Sequence, residues 1–278
     1  MIWKIRNKDF HENDFPLIMG IINLTEDSFY SNSRVIEDTS LLKRVETMLN
    51  NGVDIIDIGA ESTRPGALKI DEKAEQNKIV NALNLILAKF PKSIISVDTY
   101  RSKTAKAAVE FGAQIINDIS MGTMDLMMFE TISQLECGYV LTHIQGTPAD
   151  MQVSPHYHDA VKEISSLLLE KTQQLRKLGM KQENIVIDPG IGFGKKLEHN
   201  LRIMKNISIF SDLGYPVLIG LSRKSFIGDI LDNSPEERLI GTTVFHTISL
   251  LNGASILRVH DGKEANEIRK CIREYMKI

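Results

Sequence analysis

Short apolar runs alternate with longer amphipathic stretches along the chain, and this alternation constrains the fold more than any other feature. The runs are rich in Ile, Val and Leu without regular polar alternation, which is typical of strands buried on both faces of a parallel sheet. They lie at residues 17–22, 54–58, 94–97, 114–116, 139–141, 185–187, 217–221 and 256–259.

The stretches between these runs carry helix start and stop signals. We predict helices at residues 40–51, 72–90, 102–111, 159–178 and 235–251. Eight strands alternating with about eight helices indicate a parallel α/β protein, and 278 residues is near the roughly 250 typical of a closed barrel. We therefore predict one (β/α)8 TIM barrel domain over residues 1–278, with its core from about residue 16. A doubly wound open sheet remains the alternative on pattern alone.

Charge and composition exclude several classes of protein. The net charge of −3, with both signs interspersed, argues against a nucleic-acid or anionic-membrane partner. No run approaches the ~18 apolar residues of a membrane span, and the N-terminus lacks the apolar region of a signal peptide. Cys137 and Cys271 stand in no metal-ligand spacing. We expect a soluble cytoplasmic protein with unpaired thiols.

Polar residues follow directly after every predicted strand. In a TIM barrel these positions converge on the C-terminal mouth, where active sites lie. One such residue would be an ordinary cap or turn former, but a set at eight consecutive strand ends predicts a site. The set includes Asn23, Glu61, Asp98, Asn117, His143, Asp188, Ser222 and Arg258.

Five motifs identify a family resemblance. Residues 19–29 read MGIINLTEDSF, 61–66 ESTRPG, 188–195 DPGIGFGK, 220–226 GLSRKSF and 258–261 RVHD. In this order, with Asp98-Thr99 and Asn117-Asp118 between them, they resemble the dihydropteroate synthase family from about Pro16 to the C-terminus. The resemblance implies a sulfonamide-target transferase of folate synthesis that joins 6-hydroxymethyl-7,8-dihydropterin diphosphate to p-aminobenzoate and releases diphosphate.

The resemblance also implies a slot for the pterin, formed by Asp98, Asn117, Asp188, Gly220 and Lys224. Its chemistry is plausible because the Asp188 carboxylate can accept two parallel N–H bonds from an aminopyrimidine edge. Asn117 can both donate and accept. Lys224 would donate to the ring carbonyl or N5 and help to keep Asp188 ionised.

The diphosphate clamp implied by the resemblance consists of Arg64, Arg258 and His260, with Asn23 as a Mg2+ ligand. Arginine binds phosphate oxygens bidentately, and Mg2+ commonly combines one or two protein oxygens with substrate phosphates. Positive charge here would stabilise the departing diphosphate. We expect Lys224, Asp188, Arg64, Arg258 and His260 to be the catalytic residues. No protein nucleophile is needed if the pterin-stabilised cation forms first.

For the incoming amine, the resemblance implies a cleft of Thr63, Pro65, Phe193, Ser222 and Phe29. Phe29 and Arg64 would lie on loops that close over the site and exclude water. A homodimer is likewise expected from the resemblance only.

Two segments depart from the family pattern and leave some roles open. Glu26 replaces a proline, and residues 31–34 replace an acidic glycine-rich stretch. A methionine common near the fifth strand is absent, and His143 there either lines the mouth or packs behind it. A methylfolate-dependent methyltransferase of the same barrel group, a non-catalytic pterin-binding homologue and an unrelated aldolase-type barrel using Lys224 are the alternatives.

Overall fold

The computed structural model describes residues 2–6, 8–24, 31–61 and 70–277, with side chains in the first helix described from residue 38 onward. The chain begins with an antiparallel hairpin of β1 (Ile2–Ile5) and β2 (Lys8–His11). Eight parallel strands follow: β3 (Leu17–Asn23), β4 (Ile55–Gly59), β5 (Ile94–Asp98), β6 (Ile115–Asp118), β7 (Gly138–Thr142), β8 (Ile185–Asp188), β9 (Leu218–Ile219) and β10 (Ile256–Val259).

The described helices lie between these strands and after the last one. They are α1 (Ser31–Asn50), α2 (Glu72–Lys89), α3 (Ser102–Glu110), α4 (Met128–Ser133), α5 (Ala160–Lys177), α6 (Leu197–Lys205), α7 (Ile207–Ser211), α8 (Ser225–Leu231), α9 (Leu239–Leu251) and α10 (Gly262–Tyr275). Asp71 and Asp159 cap α2 and α5 by accepting from two backbone N–H groups each, as short acidic side chains at this position do.

The eight parallel strands close into a barrel. Their order is β8-β7-β6-β5-β4-β3-β10-β9. A parallel bridge between Ile187 and Val217 joins the two ends, and the Ile187 N–H donates to the Pro216 carbonyl at 3.0 Å. This closure confirms the predicted (β/α)8 TIM barrel and rules out the open sheet.

Each predicted strand is present, and no strand end differs from its predicted position by more than two residues. Two helix boundaries were wrong. The first helix begins at Ser31, not at residue 40. The predicted helix 235–251 is divided into a 3-10 turn, Pro235–Glu237, and α9, since Arg238 separates them.

The N-terminal hairpin packs on the amino-terminal end of the barrel, which the sequence analysis did not predict. Trp3, Ile5 and Phe10 form one buried cluster with barrel residues such as Leu17 and Ile55. The Trp3 indole N–H donates to the Asn184 carbonyl at 3.3 Å. This end of the barrel is therefore apolar and filled, and the polar strand ends lie at the opposite end.

In the part of the chain that the structure describes, no helix is long and apolar enough to cross a membrane.

Candidate active site

A cavity of about 480 Å³ opens at the carboxyl ends of the barrel strands. This volume suits a small organic ligand. Its lining combines cationic, acidic and aromatic side chains, including Asn23, Glu61, Asp98, Met151, Gln152, Phe193, Ser222, Lys224, Arg258 and His260. The predicted convergence of polar strand ends on one mouth is present in the structure.

Arg258 lies at the centre of a buried ion-pair network. Its Nε donates to Asp57 Oδ2 at 2.7 Å, and its Nη2 donates to Asp98 Oδ2 at 2.6 Å. Asp57 Oδ2 also accepts from the Asn117 amide at 3.2 Å. Since strands β4, β5, β6 and β10 supply one residue each, the network forms only when these strands are assembled in one sheet.

Burial and charge shift the pKa values of this network. Burial raises the pKa of Asp98 to about 7, against the opposing influence of the Arg258 guanidinium. Burial alone would lower the pKa of Arg258, but the Asp57 and Asp98 carboxylates outweigh that effect and raise it. Arg258 therefore stays cationic, while Asp98 can change its protonation state near neutral pH.

Asp188 and Lys224 are two further buried charges of the site, and each favours the ionised form of the other. Burial raises the pKa of Asp188, with Lys224 and the Gly190 N–H opposing that rise. The Gly190 N–H donates to Asp188 Oδ1 at 2.7 Å. Burial lowers the pKa of Lys224 to about 8, although the Asp188 charge favours its ammonium form. The Lys224 ammonium donates to the Ile191 carbonyl.

Two residue pairs join the segments that follow β9 and β10. The His260 backbone N–H donates to Ser222 Oγ at 3.2 Å, and His260 Nδ1 lies 3.1 Å from the same oxygen. Arg223 donates through Nε and Nη2 to the two Asp261 carboxylate oxygens at 2.8 and 2.9 Å. These contacts hold Ser222 and His260 at the cavity wall.

The structure brings most of the predicted site residues to this cavity. Asn117 and Asp188 are almost fully buried beside it and are not among its described lining residues. Asn117 connects to the lining through Asp57 and Arg258, and Asp188 Oδ2 would lie 4.0 Å from a Cβ placed on Gly220. Four predicted residues, Phe29, Thr63, Arg64 and Pro65, lie outside the described residues.

Three contributors were missed by the sequence analysis. Asp57 was assigned only to a strand, although a carboxylate inside an apolar run is itself a signal because its burial needs a partner. Arg101 donates to Glu61 at 2.8 Å and also contacts Glu75, fixing Glu61 at the mouth. Lys195 is buried, and its Nζ lies 2.9 Å from His143 Nδ1.

His143 packs behind the mouth. It is almost fully buried and is not among the described cavity-lining residues. Burial lowers its pKa well below the ordinary histidine value, with the nearby Lys195 charge acting in the same direction. The neutral His143 imidazole therefore contacts Lys195 and supports the loop that follows β8.

Comparison with known proteins agrees with this geometry. A family model described as "Pterin binding enzyme" matches residues 19–260. The dihydropteroate synthase of Haemophilus influenzae is 38% identical over 255 residues, which cover 92% of each chain. That of Bacillus subtilis is 38% identical over 254 residues, covering 91% of this chain and 86% of its own. The solved Yersinia pestis dihydropteroate synthase with a sulfonamide drug complex has a TM-score of 0.93 at 32% identity, with full coverage of both chains.

Proposed function

This chain belongs to the dihydropteroate synthase family of pterin-binding enzymes, and we propose that it joins 6-hydroxymethyl-7,8-dihydropterin diphosphate to p-aminobenzoate, giving 7,8-dihydropteroate and diphosphate. One observation carries the proposal. Lys224 and Asp98 line the same cavity as Arg258, His260 and Asn23. A single ligand can therefore meet hydrogen-bonding groups for a heterocycle and cationic groups for a diphosphate.

The pterin ring would bind at the buried carboxylates. Asp188 offers an oxygen pair to the N–H groups of the aminopyrimidine edge, and the nearby Lys224 charge favours its ionised form. Asn117 is oriented by Asp57 and has amide capacity left for the ring. Since these groups are held by strands, they are positioned before the ligand arrives.

Arg258 and His260 would act on the diphosphate. Arg258 is held by Asp57 and Asp98 and remains cationic, so it can stabilise the negative charge that develops as the C–O bond breaks. The electron pair of that bond leaves with the diphosphate. The amine lone pair of p-aminobenzoate then forms the new C–N bond, and the amine loses a proton to the surroundings.

We propose Mg2+ as the cofactor, held by the side-chain oxygen of Asn23. Among the described residues no group of three or more His, Cys, Asp and Glu could hold a metal ion by itself. A single amide oxygen beside a bound diphosphate suits Mg2+, which commonly takes substrate phosphates and water as its other ligands. When bound, the ion would neutralise charge on the leaving group.

The amine cleft would lie between Phe193 and Ser222. Both line the cavity, and the Phe193 ring centroid is 4.2 Å from the Lys224 ammonium. Ser222 is held near His260. Thr63, Pro65, Phe29 and Arg64 are proposed to complete this cleft and the clamp on the strength of the family motifs alone.

The relatives named above are synthases, so the methylfolate-dependent methyltransferase and the non-catalytic homologue are not favoured. The deciding assay measures diphosphate release from 6-hydroxymethyl-7,8-dihydropterin diphosphate, with and without p-aminobenzoate, in Mg2+ and in EDTA. We expect release that depends on p-aminobenzoate and Mg2+ and yields dihydropteroate. Tight pterin binding without release, or methyl transfer from a methylfolate to a corrinoid protein, would contradict the proposal.

We also propose a homodimer, formed through the outer face of α9. Ile240, Val244, Ile248 and Leu251 recur at helical spacing on this helix, and Ile240 is 76% exposed. A contiguous exposed apolar stripe on a soluble domain marks an interaction surface. In sedimentation, the wild type should be dimeric and Val244→Arg monomeric; a monomeric wild type would contradict this proposal.

A further inference from the structure

Residues 191–194, after β8, present four successive backbone carbonyl groups that each accept a hydrogen bond from a side chain. Two donors come from the loop after β7, one is the residue that directly follows the segment, and one comes from the turn after β9. The pairs are Lys224 with Ile191, Gln152 with Gly192 at 2.6 Å, Lys195 with Phe193 at 2.9 Å, and Tyr157 with Gly194 at 3.0 Å.

Left-handed backbone at Gly190 and Gly194 explains why these carbonyls need side-chain donors. Their φ angles are +70° and +63°, and a Cβ would lie 1.9 Å from the His143 carbonyl oxygen or 2.4 Å from that of Gln145. Such turns interrupt any regular backbone ladder, and buried carbonyls left unpaired are costly. The path of the segment therefore depends on its four donors.

Two of the donors are buried and have no part in the proposed chemistry. Lys195 is 3% exposed, and its Nζ joins the Phe193 carbonyl to His143 Nδ1 at the end of β7. Burying an amine is costly unless its partners compensate. Tyr157 is also buried, and its hydroxyl reaches across to Gly194. Both tie the segment to the chain that follows β7.

The segment carries Phe193 into the cavity wall. The ring packs in one buried cluster with Met151 and Ile144, and the Lys224 ammonium lies over it. A displacement of the backbone at residues 192–194 would move this ring, while Asp188 is held by the end of β8 and Lys224 keeps its contact with the Ile191 carbonyl.

We propose that Lys195 and Tyr157, assisted by Gln152, are positioning residues that hold Phe193 where it contacts p-aminobenzoate. The inference rests on the proposed function and deepens it, since it assigns the control of amine affinity to residues behind the cavity wall. These positioning residues are distinct from the groups that are proposed to bind the pterin.

Tyr157→Phe and Lys195→Met test the proposal. Each removes donors to the segment and keeps a side chain of similar size. We expect the KM for p-aminobenzoate to rise about fivefold or more, the effect of losing one hydrogen bond. The Kd for pterin diphosphate, measured by calorimetry, should change less than about twofold. Asp98, Asn117 and Asp188 lie on other elements, and both variants keep the contact of Lys224 with the Ile191 carbonyl.

Tyr139→Phe is the matched control. It also removes a buried tyrosine hydroxyl, one that donates to Asp118 at 2.6 Å outside this segment. We expect a lower thermal midpoint and an unchanged KM for p-aminobenzoate. If Lys195→Met does not fold, Tyr157→Phe decides the matter, because it deletes a single oxygen.

Failure of the proposed function would be seen in the wild type, which would form no dihydropteroate. The positioning role is overturned separately, by an active wild type whose two variants keep the wild-type KM for p-aminobenzoate. Equal losses of affinity for both substrates would also overturn it, since they would indicate a general structural role.

Discussion

Asp57 Oδ2 accepts a hydrogen bond from Arg258 Nε at 2.7 Å, at a point where Asp57 has no exposed surface. Among the described residues none donates to its other oxygen, Oδ1. The same Oδ2 accepts from Asn117. One carboxylate therefore orients both Asn117, which is proposed to bind the pterin, and Arg258, which is proposed to bind the diphosphate. This contact links the two halves of the candidate site.

Replacing Asp57 tests that link. Asp57→Ala should lower the free energy of unfolding by about 3 kcal/mol, because it leaves a buried guanidinium with one partner fewer. Urea unfolding measures this. Glu274→Gln, which disrupts the exposed pair with Lys277, is the control and should cost less than about 1 kcal/mol. A cost for Asp57→Ala no greater than the control's would show that the pair is not stabilising.

Arg258→Leu should chiefly damage diphosphate recognition. The Arg258 guanidinium, held by Asp57 and Asp98, is proposed to bind the diphosphate oxygens. Because hydrogen bonds to charged groups are strong, its loss should weaken the binding of pterin diphosphate about 30-fold. Calorimetry with the pterin diphosphate and with the pterin alcohol compares the two ligands. Equal losses for both would contradict the assignment of Arg258 to the diphosphate.

Asp188→Ala and Lys224→Ala should each weaken pterin binding by about tenfold or more without unfolding the barrel, because each removes a charge-assisted contact at a strand end. Fluorescence titration with the pterin measures binding, and circular dichroism checks the fold. Lys277→Ala, an exposed lysine at the C-terminus, is the control. Unchanged binding in either variant would remove that residue from the site.

The pH dependence should follow the two shifted groups at the cavity. Asp98, with its pKa raised to about 7, is ionised only above that pH. Lys224, with its pKa lowered to about 8, is an ammonium only below that pH. We therefore expect kcat/KM for pterin diphosphate to rise through pH 7 and fall through pH 8.

Substitution assigns the limbs of that profile. Asp98→Asn cannot ionise, so the rise on the acid side should disappear while the alkaline fall remains. Lys224→Arg keeps its charge at any relevant pH, so its alkaline fall should move upward. A flat profile between pH 6 and 9 in the wild type would show that neither group controls binding.

Much of the fold was predictable because it is encoded locally. Apolar runs rich in Ile, Val and Leu mark buried parallel strands wherever they occur, and polar residues after them must lie at one end of a parallel barrel. The hairpin Ile2–His11 was missed, although its charged and apolar residues alternate. The boundary at Arg238 was missed because the helix start signal at Ser234 and Pro235 suits a 3-10 turn as well as an α-helix.

By itself the sequence determined the alternation of parallel strands and helices, the polar strand ends and the family motifs, since each of these depends on residues close together in the chain. The contact between Ile187 and Val217 decided that the strands close into a barrel. Only the tertiary structure decided which side chains meet. Asp57 and Arg258 are 201 positions apart, and Lys195 and His143 are 52 apart. Local pattern does not encode such contacts, because they arise from the strand register and from loop packing once the barrel has closed.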